Sequence, residues 1–216
     1  MSEPLAGRHV LVTAGPTREP IDPVRFISNH SSGKQGYAIA AACAALGARV
    51  TLVAGPTALA DPDGVTTTHV ETARDMLVAV ETALPADVFI AVAAVADWRP
   101  AQPSDRKLKL DKASFSSLPL VENPDILKTI SRRDTDRPDL VIGFAAETHD
   151  VEALARAKRE RKGCDWIVAN DVSGDVMGGA ENAVLLVTAE TSEAWERAPK
   201  GVIAEKLANR IATALA

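Results

Sequence analysis

Short, wholly apolar runs alternate along this chain with longer segments of helical character. His9 to Ala14 (HVLVTA), Arg49 to Ala54 (RVTLVA) and Asp87 to Ala94 (DVFIAVAA) are continuous in apolar character, as strands covered on both faces are. Thr66 to Val70 reads as a further strand. Tyr37 to Leu46 (YAIAAACAAL) is a strong helix former that stops at Gly47, and Thr72 to Leu84 reads as a second helix. From Asp97 to Val121 the rhythm breaks into polar, proline-bearing text. There Lys107-Leu108-Lys109-Leu110 alternates with period two, as an exposed ribbon does, and Leu118 to Val121 offers a partner strand. The pattern predicts a two-stranded flap over about 98–121.

The alternation then resumes. Pro124 is expected at the first turn of a helix running to about Arg132, followed by a strand at Asp139 to Ala145, a basic helix at Val151 to Lys162 and a strand at Trp166 to Ala169. Ala183 to Thr188 closes the sheet and Lys200 to Leu215 makes a last amphipathic helix. Strands alternating with helices predict an α/β fold: a Rossmann-like, doubly wound, mostly parallel sheet with helices on both faces and a protruding two-stranded flap, in one domain over 1–216.

Composition narrows the function. Of 216 residues 46% are hydrophobic and 25% charged, which excludes disorder, collagen and coiled coil. A net charge of −5 gives no electrostatic reason to expect nucleic acid, so any basic site is local and faces a small anion. No apolar run approaches the ~20 residues of a membrane span, and the start MSEPLAGRHV lacks the features of a signal peptide, so the expected compartment is the cytoplasm. The two cysteines, Cys43 and Cys164, are too few for a disulfide framework or a zinc site, and the four histidines show no ligand spacing.

In an open α/β sheet, ligands bind beyond the carboxyl ends of the strands. After the first strand comes GPTREPIDPVRFISNHSSGKQG, Gly15 to Gly36, far longer than an ordinary βα loop of ~2–6 residues. It ends in Ser31-Ser32-Gly33-Lys34 ahead of a helix, a place that suits a phosphate; plain capping by Ser31 or Ser32 is the alternative. After the fourth strand, small residues at Ala93-Ala94-Val95-Ala96 admit a planar ring, and Asp97 offers an acceptor or else caps a turn. Lys107 and Lys109 share a strand face, as phosphate clamps or as edge-protecting charges. Lys158 and Lys162 share a helix face, where a common anion would relieve their repulsion, although a solvated helix explains them equally. The spacing of a Walker P-loop is absent. So is the dinucleotide fingerprint G-x-G-x-x-G, which leaves a nicotinamide-dependent dehydrogenase poorly supported.

Taken together, GPTREPIDPVRFISNHSSGKQG, AAVADWRP, KLKL, ENPDIL, GFAAET and KRERKGCDWIVANDV resemble, in order and spacing, the phosphopantothenoylcysteine synthetase family, the CTP-dependent phosphopantothenate–cysteine ligases of coenzyme A biosynthesis. The resemblance implies two steps. The carboxylate of 4′-phosphopantothenate attacks the α-phosphate of CTP, and the amine of cysteine then attacks the acyl-cytidylate and releases CMP, with Mg²⁺ accompanying the triphosphate. It implies catalytic roles for Asn29 and Lys107. Nucleotide contacts would come from Ala94, Asp97, Lys107, Asn123, Pro124, Asp125, Ile126, Phe144, Lys158 and Lys162. Substrate contacts would come from Arg25, Asn29, Ser31, Ser32 and Gly33. Bacterial members carry this domain behind a flavin-dependent decarboxylase. The chain has no room for that half, so the expectation is the ligase domain alone, without flavin. The resemblance further implies a homodimer with the flap reaching toward the partner. Leu110 departs from the family's flap, where a lysine is common, and Gln35 stands where methionine is frequent, a change expected to matter only for packing. The competing expectation is a non-catalytic nucleotide-binding module on the same fold, which retention of Asn29, Asp97 and Lys107 argues against.

Overall fold

The computed structural model describes residues 3–108, 117–147, 149–171, 179 and 181–216. Among the described residues, twelve strands and five helices follow in the order β1 His9–Ala14, β2 Arg18–Pro20, β3 Phe26–Ser28, α1 Lys34–Ala45, β4 Arg49–Ala54, β5 Val65–His69, α2 Ala73–Thr82, β6 Val88–Ala91, β7 Trp98–Pro100, β8 Leu120–Glu122, α3 Ile126–Ser131, β9 Leu140–Glu147, α4 Val151–Lys162, β10 Trp166–Asp171, β11 Glu181–Val187, β12 Ser192–Pro199 and α5 Lys200–Ala214. Eight of the strands form one sheet in the order β12-β11-β10-β9-β6-β1-β4-β5. The six from β10 to β5 run parallel, and β11 and β12 add antiparallel at one edge.

The apolar runs explain this arrangement. All six residues of β1 are buried, because alternate side chains serve two cores. Val10, Val12, Leu52, Val88 and Ile142 face one core with α1 and α5; Leu11, Val53, Phe89, Val141 and Ile167 face the other with α2, α3 and α4. Each fully buried Leu, Ile or Phe contributes about 1.5–3 kcal/mol, so the central strands dominate the fold's stability. Both cysteines are free and buried within these layers, and burial pushes their thiols up to about 12 for Cys43 and about 11 for Cys164.

Several elements depart from the sequence expectation. The flap is paired through Trp98–Pro100 and Leu120–Glu122, whereas Lys107 and Leu108 lie outside any strand. The proline-bearing segment takes the pairing because its backbone continues directly from the loop after β6. Lys109 and Leu110 lie outside the described residues. The last strand is β12, beyond the expected closing strand β11. Pro124 precedes α3, whose N-cap is Asp125.

At the amino ends of the strands, His9 is buried with Nδ1 2.8 Å from the Pro85 carbonyl and Nε2 2.9 Å from Thr51 Oγ1. The carbonyl can only accept, so Nδ1 carries the proton. Burial holds the His9 pKa below its ordinary value, helped by Arg49 and opposed by the Pro85 hydrogen bond and Asp87. A histidine depressed in the folded state contributes stability that is complete above the unfolded pKa of ~6.5 and is lost as pH falls below it. Urea unfolding should therefore show lower stability at about pH 5.5 than at about pH 7.5, with a smaller difference in His9→Gln; equal differences would contradict the assignment.

Candidate functional site

The strand order reverses between β1 and β6, and the loops that leave their carboxyl ends part in opposite directions. A cavity of about 790 Å³ opens there, floored by Thr13, Gly15 and Ala91 to Ala93 and reaching Phe144 within β9 and Asn170 near the end of β10. The Gly15–Gly36 loop forms one wall and residues 93–98 another.

The two walls are tied to each other. Pro16 bridges Ala94 in parallel fashion, the Ala94 N–H donates to the Gly15 carbonyl at 2.9 Å, and the Ala96 N–H donates to Thr17 Oγ1 at 3.0 Å. Asn29 completes the junction: its Nδ2 donates to the carbonyls of Ala94 at 3.2 Å and Val95 at 3.1 Å. Two carbonyls can only accept, so the amide orientation is fixed and Oδ1 remains as an acceptor at an exposed position on the cavity wall. Asp97 is exposed in the same wall and its carboxylate has no hydrogen-bond partner among the described residues, so it caps nothing. Its carbonyl accepts the Asn123 N–H at 2.8 Å, while Asn123 Nδ2 donates to the Ala96 carbonyl at 2.8 Å. Asn123 thereby fixes the 96–97 turn.

Neither serine caps α1. The N-cap is Gly33, in the left-handed region at φ 74°, where a side chain would be strained, and the Gly33 N–H lies 3.4 Å from Ser31 Oγ. The first N–H groups of α1 therefore face the cavity without a side-chain cap. On the opposite face of the sheet Asp125 caps α3 through the Lys128 N–H at 3.0 Å and pairs with the Lys162 ammonium. Burial pushes the Asp125 carboxyl up, but the bonds from Lys162 and Lys128 outweigh it and hold it below the ordinary range. Lys158 donates to the Phe144 carbonyl at 2.8 Å, and burial, then Lys162, lower its pKa. The two lysines thus have protein partners and also line the cavity.

Residues 5–215 match the family described as the DNA/pantothenate metabolism flavoprotein C-terminal domain. The chain belongs to this family. The coenzyme A biosynthesis bifunctional protein CoaBC of Vibrio vulnificus is 45% identical over 215 residues, which cover 98% of this chain and 53% of that protein. Its counterpart in Mycobacterium tuberculosis is 46% identical over 224 residues, covering 98% and 54%. The chain spans about half the length of these relatives. The crystal structure of the C-terminal domain of a CoaBC protein superposes with a TM-score of 0.84 at 42% identity, covering 99% of this chain and 98% of that one.

In this member of the family the cavity gathers most of the residues singled out from the sequence: Asn29 and Ser31 to Gly33 from the first loop, Ala94 and Asp97, then Asn123 to Ile126, Phe144, Lys158 and Lys162. Arg25 and Lys107 do not line it. Arg25 instead pairs with the buried Asp22, and Lys107 is exposed beside it, next to Leu108, whose N–H donates to Asp22. On the side of α1 and α5 the cavity is also lined by Lys34, which ends the Ser31–Lys34 stretch, and by Asn182, Arg197 and Lys200, which no motif marked. They meet only because β12 delivers α5 beside α1. Gln35 does more than pack: it is buried, donates to the Lys200 carbonyl at 3.2 Å and accepts from Asn182 at 2.8 Å.

Among the described residues, no group of three or more His, Cys, Asp or Glu side chains could hold a metal. No helix of the described residues is long and apolar enough to cross a membrane.

Proposed function

We propose that this chain is a phosphopantothenate–cysteine ligase that uses CTP and forms an acyl-cytidylate. The observation that carries the reading is the cavity at the strand reversal, where the oriented Asn29 amide stands between an uncapped helix start on one face of the sheet and the Asp125–Lys162 pair on the other. The family membership and the likeness to the CoaBC C-terminal domain support it.

A carboxylate is a poor acylating agent. Attack on the α-phosphate of CTP forms the mixed anhydride and expels pyrophosphate. The cysteine amine then forms the amide, CMP leaves, and the amine's proton passes to solvent. Such chemistry asks the protein chiefly for positioning and for charge at the right place. Asn29 Oδ1 accepts from a hydroxyl or N–H of the acid substrate and holds its acyl end against the Ala94–Val95 turn. Ser31 to Gly33 and the first turn of α1 receive its phosphate. Asp97, with the backbone of Ala94 and the Asn123 to Ile126 segment, reads the cytidine beside Phe144. Lys158 and Lys162 face the triphosphate, and Lys107 supplies further positive charge. Among the described residues no group of carboxylates or histidines forms a metal cage, so Mg²⁺ would be held by the oxygens of the triphosphate.

Arg25 and Lys107 lie outside their own chain's cavity, in a region that exposes Val24, Phe26, Trp98 and Leu120. In a homodimer that apolar surface is covered and both cations serve the neighbouring copy. Light scattering at micromolar concentration should give twice the chain mass, and a clean monomer would count against it. The chain spans about half the length of bifunctional relatives, and in a full-length protein it would follow a flavin-dependent decarboxylase, the whole acting in the cytoplasm.

Lys162→Met leaves Asp125 capping α3 but removes one positive charge from the nucleotide side. CTP binding should weaken roughly tenfold to hundredfold by calorimetry, the worth of a charge-assisted bond of about 1.5–3 kcal/mol. Unchanged affinity would remove Lys162 from the nucleotide site. The ligase reading itself is tested by incubating the protein with 4′-phosphopantothenate, CTP, Mg²⁺ and cysteine. Mass spectrometry should find phosphopantothenoylcysteine and CMP in equal amounts, and ADP-type products from ATP with no CMP from CTP would overturn it.

A further inference from the structure

The turn between β2 and β3 holds a carboxylate that does more than close a turn. Asp22 is buried, and its Oδ1 accepts the N–H groups of Val24 and Arg25, both at 2.9 Å, as an Asx turn does. Its Oδ2 has another task. It accepts from Arg25 Nε at 3.1 Å and Nη2 at 2.6 Å, and also from the backbone N–H of Leu108 at 3.1 Å. The same Arg25 Nη2 donates to the Leu108 carbonyl at 3.3 Å. Both backbone polar groups of Leu108 are therefore taken by one ion pair, much as a neighbouring strand would take them. The Ser104 N–H, donating to the Ile21 carbonyl at 3.0 Å, fastens the same segment once more. Arg25 holds the Asp22 carboxyl well below the usual carboxylate range, over the opposing effect of burial, with the backbone bonds from Val24, Leu108 and Arg25 adding to it.

We propose that Asp22 is a positioning residue for Lys107: with Arg25 it clasps the backbone at Leu108, and the placement of the adjacent lysine ammonium depends on a carboxylate that itself touches no substrate. The clasp stands on geometry alone, while the part Lys107 plays in turnover rests on the ligase reading above. An asparagine at position 22 would serve the Asx turn equally well, since its Oδ1 could accept from Val24 and Arg25. It would fail at the clasp, because its amide NH2 would face the Leu108 N–H and the Arg25 fork, donor against donor. The sequence uses the one residue that satisfies both tasks.

Asp22→Asn separates them. Hydrogen exchange at the Leu108 amide should become roughly tenfold to hundredfold faster, the loss of a charge-assisted bond, while the amides of β1 and β6 keep their protection. In the ligase assay kcat should fall by a larger factor than KM for CTP rises. Asp22→Asn should add less than about twofold to the loss already caused by Lys107→Gln, because residues acting through one another do not combine independently. Asp22→Glu keeps the charge and should recover part of both effects; should the asparagine variant fail to fold, the glutamate variant is read the same way with smaller amplitude. Unchanged exchange at Leu108, or losses that multiply in the double variant, would overturn the proposal. If Lys107→Gln turns over at the parent rate, the role given to Lys107 in the ligase reading fails, and the proposal falls with it even where the Leu108 exchange shows the clasp.

Discussion

Asn29→Asp is expected to lower kcat for the ligation by roughly 10²–10³-fold while leaving the fold intact, the usual cost of removing a preorganised polar group at a reacting centre. The asparagine Nδ2 donates to two carbonyl oxygens, at 3.2 Å to Ala94 and 3.1 Å to Val95. A carboxylate has no donor to give them. It would meet two carbonyl dipoles with its own negative charge, swing out of the junction and place an anion where the proposed ligation would bring the substrate carboxylate. Asn29 is exposed, so stability should change by no more than about 1 kcal/mol and the melting temperature by a few degrees. A kcat within about threefold of the parent, with a native melting curve, would take Asn29 out of the reacting centre.

Gly55→Ala, directly after β4, should be the most damaging small substitution at the carboxyl ends of the strands. A Cβ at this position would stand 1.7 Å from the Pro16 carbonyl oxygen, a backbone atom that no rotamer change can clear. Pro16 is the residue that bridges Ala94, so relief of the clash moves the strand ends to which Asn29 is tied. Overpacking costs about 1–3 kcal/mol where side chains can shift and more where backbone must. For a chain of this length 3 kcal/mol corresponds to a fall in melting temperature of roughly 6–12 °C. Activity should fall along with it. A melting temperature within about 2 °C of the parent would show that the β1 and β4 carboxyl ends have slack that the structure does not suggest.

The legibility of this fold followed burial. Strands covered on both faces had to be continuous apolar runs, and β1, β4 and β6 stood out for that reason. Helix α4 was readable from end to end, because Gly163 stops it and its last turn carries Arg159, Arg161 and Lys162. Strand β12 was not. Only Trp195 of SEAWERAP is buried, so an edge strand held by backbone pairing leaves almost no hydrophobic pattern to read. The three-residue strands β2, β3, β7 and β8 are too short for any period, and only β8 was anticipated, as the partner strand of the flap. The same distinction runs through the site. Asn29, Ser31 to Gly33 and Asp97 sit in loops directly after core strands, so order along the chain placed them at the cavity. Lys200 and Asn182 needed the β11–β12 hairpin to carry them back, and the Asp22–Leu108 bond joins residues 86 apart in sequence. No local pattern announces such pairs, since neither partner is chosen for its neighbours in sequence.

The central claim is that the acid is activated by CTP before cysteine takes part. The most direct test is a single-turnover measurement with protein in excess over CTP, following pyrophosphate with Mg²⁺ and 4′-phosphopantothenate present and cysteine withheld. The account predicts a burst approaching one pyrophosphate per CTP, dependent on phosphopantothenate, with CMP released only after cysteine is added. Pyrophosphate that appears only when cysteine is present, or that forms without phosphopantothenate, would contradict it.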